Sequence, residues 1–168
     1  VTGTFGITTG KWYWEVRIGT VQAMPGIMGN GSRSTDNLPY PGGGGGGYHY
    51  SYFTDGDLYW TEGSGANHPK YGDTYTVGDI IGVAVDGDNG TLTFYKNGVS
   101  QGIARSNLNS FDVNAWMPCV GDGSSSSGAT AQINFGQNPT FSGTRTAGTY
   151  TDANGRGLFK YQPPDNHL

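Results

Sequence analysis

Apolar and polar residues alternate in short runs along this chain, and turn residues punctuate the runs. Lys11-Trp12-Tyr13-Trp14-Glu15-Val16-Arg17-Ile18 places Trp12, Trp14, Val16 and Ile18 on one face and Lys11, Tyr13, Glu15 and Arg17 on the other. That pattern predicts a strand with one face in a core and one in water, where Glu15 forms a cross-strand ion pair at the surface. The clearest stretch is Gly78–Val99. Ile81, Val83 and Val85 share a face, then Asp86-Gly87-Asp88-Asn89-Gly90 intervenes, then Leu92 and Phe94 share a face, and Asn97-Gly98 closes the far end. Asn-Gly supplies the two positive φ angles of a type I′ turn, so the stretch predicts strand, turn, strand, turn. Gly82 and Ala84 leave the opposite face shallow enough for another layer to approach closely.

Other segments fit the same scheme. Thr4–Ile7 and Gly26–Gly29 are short strand candidates. Tyr48, Tyr50 and Tyr52 alternate with His49 and Ser51, and Leu58-Tyr59-Trp60 follows across Asp55-Gly56-Asp57 as a hairpin partner. Trp116–Val120 and Thr130–Phe135 are further strands, and Leu158–Tyr161 is a closing one stopped by Pro163-Pro164. No segment sustains a helical period. The pattern predicts an all-β, two-layer antiparallel sandwich without substantial helix.

Composition changes this picture little. Thirty-one glycines in 168 residues would suggest low complexity, but apart from Gly42–Gly47 they separate apolar runs instead of clustering. The net charge is −4 with scattered Lys and Arg, which argues against nucleic acid as a partner. No apolar run is long enough to cross a membrane as a helix. The single Cys119 sits among apolar residues and is expected to be buried. The chain begins without Met, and both ends read as cut from something longer.

Candidate chemistry is sparse. Asp86–Gly90 opens like a calcium loop, but the position that needs a bidentate Glu is Asn97, so the segment reads as a turn. The glycine run lacks the strand and helix that a phosphate loop needs. Glu15 and Glu62 are the only glutamates and offer no convergent pair for hydrolysis. His49, His68 and His167 show no metal-ligand spacing, so no metal, cofactor or catalytic residue is expected. The aromatic loops remain. The connections at 30–47 and 61–74 flank the Tyr48–Trp60 hairpin, and Tyr40, Tyr48, Trp60, His68 and Tyr71 fall within or beside them. These five are the expected partner-binding residues, because rigid rings give contact area at low entropy cost.

"GDIIGVAVDGDNGTLTFYKNGVSQG", with "GKWYWEVRI" upstream and "MPCV" and "INFGQ" downstream, resembles the SPRY domain, a concanavalin-like jelly-roll sandwich. The likeness runs from Gly10 to Gln137 and leaves 138–168 as an extended tail with a closing strand, all within one domain. It implies a non-catalytic module that recognises a protein or glycan surface. The ending, "INFGQNPTFSG…GLFKYQPP", resembles versions found in bacteriophage virion proteins. That second likeness implies a fibre or decoration protein, virion or extracellular, forming homo-oligomers or assembling with other virion proteins. Two alternatives stay open: a concanavalin-like carbohydrate-binding lectin or glycan hydrolase, and a peptide-binding SPRY adaptor.

Overall fold

The computed structural model describes residues 1–29, 47–63, 67–124 and 128–168. Eleven strands occur among them: β1 (Lys11–Ile18), β2 (Ala23–Gly29), β3 (Tyr48–Tyr52), β4 (Leu58–Glu62), β5 (Ile80–Asp86), β6 (Thr91–Lys96), β7 (Val99–Arg105), β8 (Trp116–Asp122), β9 (Ala131–Asn134), β10 (Tyr150–Thr151) and β11 (Leu158–Phe159). They form a five-stranded sheet in the order β7-β6-β5-β1-β9 and a four-stranded sheet in the order β4-β3-β2-β8. The tail adds the two-stranded ladder β10-β11. All pairings are antiparallel, which makes the fold the expected all-β sandwich.

Period-two alternation builds the core. The five-stranded sheet points Trp14, Val16, Ile18, Ile81, Val83, Val85, Leu92 and Phe94 inward. They meet Ala23, Ile27, Tyr50, Tyr52, Leu58 and Trp116 from the other sheet. Each fully buried side chain of this size contributes about 1.5–3 kcal/mol. Cys119 is also buried, and burial pushes its thiol up to about 12.

The turns differ from each other. Asn97 and Gly98 both have positive φ (49° and 84°) and join Lys96 to its partner Val99 as the predicted two-residue turn. The Asp86–Thr91 connection is not type I′. It is a four-residue loop in which Gly90 alone has positive φ, and the Asp86 carboxylate accepts from the backbone N–H of Asp88 (3.1 Å) and Asn89 (2.9 Å). An Asp side chain placed to hold its own turn favours that geometry over the mirror-image one.

Two further expectations are corrected. Thr4–Ile7 forms no strand; the N-terminal segment only bridges β8, through Thr2 to Cys119 and Ile7 to Trp116. The outward face of β1 is not in water. Tyr13 is 4% exposed and Glu15 0%, and no ion pair forms at Glu15 among the described residues. The reason is the tail, which crosses that face. Phe159 packs on Tyr13 and Ala84, with Tyr95 alongside. Glu15 accepts the backbone N–H of Lys160 (2.9 Å) and Tyr161 (2.8 Å). Burial pushes the Glu15 carboxyl above its ordinary range against the pull of these N–H groups and of Asn134. Gly82 makes room for the Tyr13 ring of the neighbouring strand: a Cβ there would lie 2.5 Å from the Tyr13 hydroxyl. The C-terminal Leu168 exchanges backbone hydrogen bonds with Lys11 and Tyr13, so the tail also completes the edge of β1.

An edge ledge of aromatic rings as the candidate functional site

The β3–β4 hairpin decides which of the candidate rings reach solvent. Tyr50 pairs with Trp60 and Ser51 with Tyr59. Tyr50 points into the core, so Trp60 shares that side and Tyr59 lies on the outer face. The turn is held by Asp55, whose carboxylate accepts from the Asp57 N–H (2.9 Å) and the Tyr59 hydroxyl (3.2 Å). Burial and the neighbouring Asp55 push the Tyr59 phenol up. The chain then returns along β4. Trp60 bridges Asn67, Asp57 bridges Lys70, and the Leu58 N–H donates to the Pro69 carbonyl (2.9 Å).

That return stacks the His68 imidazole on Tyr59, with ring centroids 5.2 Å apart and planes 22° from parallel. Phe53 meets Tyr59 edge-on from the other side at 5.3 Å. The His68 side chain is 62% exposed. Lys70 pairs with Asp57 at 2.5 Å and also donates to the Asp55 carbonyl at 2.9 Å. The result is a ledge of three rings with a fixed Lys-Asp pair beside it. It can stack on a planar group or an apolar side chain and offer polar contacts at its rim. Asp57 is committed to Lys70, so it does not supply a free carboxylate pair for acid-base work.

The other expected site residues lie elsewhere. Trp60 and Tyr48 are half-buried on the inner side. There the Arg105 guanidinium sits 5.7 Å from the Trp60 ring, 5.7 Å from Tyr50 and 5.3 Å from Phe111, and pairs with Glu62 at 2.5 Å. Tyr48 packs on Phe111 at 5.1 Å. Tyr71 packs on Tyr52 (5.4 Å) and Phe94 (6.0 Å). Its hydroxyl donates to the Gly102 carbonyl (2.5 Å) and accepts the Phe94 N–H (3.2 Å), and burial pushes it up to about 12. It pins its loop to β7. Tyr40 lies outside the described residues.

The structure therefore does not gather Tyr48, Trp60, His68 and Tyr71 on one surface; His68 alone among them stands on the ledge. Phe53 and Arg105 were not anticipated, and Tyr59 was not among the five expected residues. Tyr59 was within reach of the pattern, because an inward Tyr50 and Tyr52 force the alternate residue of their hairpin partner outward. Arg105 was not, because nothing in Val99–Arg105 marks its pairing with β4. His49, outward on β3, is half-buried, and burial pushes its imidazole down to about 4.

Comparison with known proteins agrees with this architecture. The SPRY domain model matches residues 11–138. The zebrafish Ran-binding protein 9 is 35% identical over 132 residues, 77% of this chain and 20% of that protein. The Drosophila Ran-binding proteins 9/10 homolog is also 35% identical over 132 residues, 13% of its length. Ran-binding protein 9 of Xenopus tropicalis is 36% identical over 22% of its length. The chain thus spans about a fifth or less of these relatives. Among solved structures, the SPRY domain of human HERC1 superposes with a TM-score of 0.57 at 22% identity, covering 79% of each chain. The virion setting implied by the chain's ending finds no support in these relatives, and neither does a glycan partner. The two sheets, the Gly78–Gly102 hairpin pair and the family match over three quarters of the sequence lead to one conclusion: this chain belongs to the SPRY domain family, whose members are protein-binding modules and generally non-catalytic.

Proposed function

We propose that this domain is a non-catalytic recognition module that binds an extended peptide or loop of a partner protein across the Phe53–Tyr59–His68 ledge. This is the peptide-binding reading of the SPRY family, and the relatives favour it over the phage-appendage reading. The observation that carries it is the His68 ring, stacked on Tyr59 yet largely exposed beside the Lys70–Asp57 pair. Stacked rings with one face open, next to polar groups already oriented, form the kind of preorganised patch that concentrates binding energy. Ran is a partner that the relatives' name attaches to those longer proteins, and it is one candidate here.

The test is a screen of the full chain against an extended-peptide library and against Ran, followed by the Tyr59→Ala, His68→Ala double variant. Binding should weaken at least about tenfold, the effect of losing one to two kcal/mol of ring contact. The melting temperature should move by only a few degrees, since both rings lie on the outer side of β4. A folded double variant that binds as well as the wild type would place the interface elsewhere.

A further inference from the structure

The tail that seals the outer face of the five-stranded sheet is held as a peptide is held. Glu15 accepts the main-chain N–H groups of Lys160 and Tyr161 with its two oxygens, at 2.9 and 2.8 Å. The Asn134 side-chain amide donates to the Leu158 carbonyl at 2.8 Å and to Glu15 at 3.3 Å. Both Glu15 and Asn134 are 0% exposed. Two buried polar side chains thus read three main-chain groups within four residues, indifferent to the side chains that residues 158, 160 and 161 carry. The deepest anchor is a ring: Phe159, 1% exposed, meets Tyr13 edge-on at 5.2 Å over Ala84 and beside Tyr95. Main-chain capture plus a single aromatic anchor is the division of labour in peptide grooves. The groove residues Tyr13, Glu15, Ala84, Tyr95 and Asn134 all fall inside the SPRY match, whereas the segment they hold falls outside it.

We infer that this face is a peptide-binding groove, occupied in cis by residues 158–161 and open to the same segment of a second copy of this chain once its own segment is displaced. The tail is the one segment whose chemistry is seen to fit. Residues 142–147 and most of 149–156 are exposed, and Phe141, fully buried, fixes the point from which they start. The eight residues 142–149, ahead of the β10–β11 ladder, can span about 26 Å when extended, so β10 and β11 can pass together to an adjacent copy. This inference concerns a different face from the ledge and stands independently of it.

The test uses the full chain carrying Phe159→Ala and a fluorescent peptide of residues 156–163. The variant should bind the peptide, and a peptide with Ala in place of Phe should bind at least about tenfold more weakly, as expected for loss of a buried ring. The wild-type chain should bind little, because its own tail competes at a millimolar-scale effective concentration. A folded variant that ignores the peptide, or binds both peptides alike, overturns the inference. If Phe159→Ala does not fold, Tyr161→Pro keeps the ring while removing the N–H that one Glu15 oxygen accepts, and the same peptide should bind it. If neither variant folds, the tail is an inseparable part of the core and the inference fails.

Discussion

Glu15→Ala is the most demanding test of how the tail is attached. The substitution removes the acceptor for the Lys160 and Tyr161 N–H groups and leaves both part-buried donors without that partner. Asn134 keeps the Leu158 carbonyl, so it is not orphaned. Each unsatisfied buried donor costs about 1–3 kcal/mol, which gives a loss of about 2–5 kcal/mol after some relief by water. At this chain length that corresponds to a fall of about 5–15 °C in Tm. Glu15→Gln keeps one carbonyl oxygen and turns an amide N–H₂ toward the other donor, so it should recover about half of the loss at most. Urea unfolding at pH 7 gives the free energies, and amide exchange at Lys160 and Tyr161 reports the contact itself. A surface glutamate would shift stability by no more than about 0.5 kcal/mol. A change that small, or unchanged protection at the two amides, would refute the buried-anchor account and restore the one-face reading of β1.

Two other predictions follow from the same structure. Phe94→Ala should cost about 3–5 kcal/mol, because the ring is fully buried against Tyr52 and Tyr71. Lys96→Ala, two residues on at the turn, should cost under about 0.5 kcal/mol; equal losses in denaturant would mean the β6 register is wrong. Acid should loosen the turn at 152–157 first. The N–H groups of Arg156, Gly157 and Asn154 hold the Asp152 carboxyl below its ordinary range. At Asp86 burial acts in the opposite direction, but Asn89 and Lys11 outweigh it and the pKa is also lowered. A depressed folded-state pKa contributes stability that is complete above the ordinary carboxyl value and is lost as pH falls through the folded value, so the window opens below about pH 4. Amide protection at 154–157 should fall there before that of β5, and Asp152→Asn should flatten the dependence; uniform loss across the chain would contradict it.

Local pattern by itself determined most of the framework. Alternation in Lys11–Ile18, Ile80–Asp86 and Thr91–Lys96 placed the inward residues correctly, because a strand's side-chain period is fixed by its backbone and does not depend on its partners. Asn97-Gly98 named its own turn type, since the required φ angles belong to those two residues. Gly82 and Ala84 announced a close layer, and Tyr13 and Phe159 provide it. The shortcomings share one cause. Whether the second face of a strand meets water depends on what the rest of the chain lays over it, and Glu15 is buried by residues about 145 positions away. The edge strand β7 carries no apolar alternation to betray it, because neither of its faces is buried. Arg105 was likewise invisible, since its ring box draws on β3, β4 and the segment after β7. The candidate site divides the same way. Composition pointed to aromatic residues around the β3–β4 hairpin, but tertiary packing spent Tyr48, Trp60 and Tyr71 on the interior and left His68, on Tyr59, at the surface. Sequence sets which rings are at hand; only the docking of one sheet against the other decides which of them remain free to meet a partner.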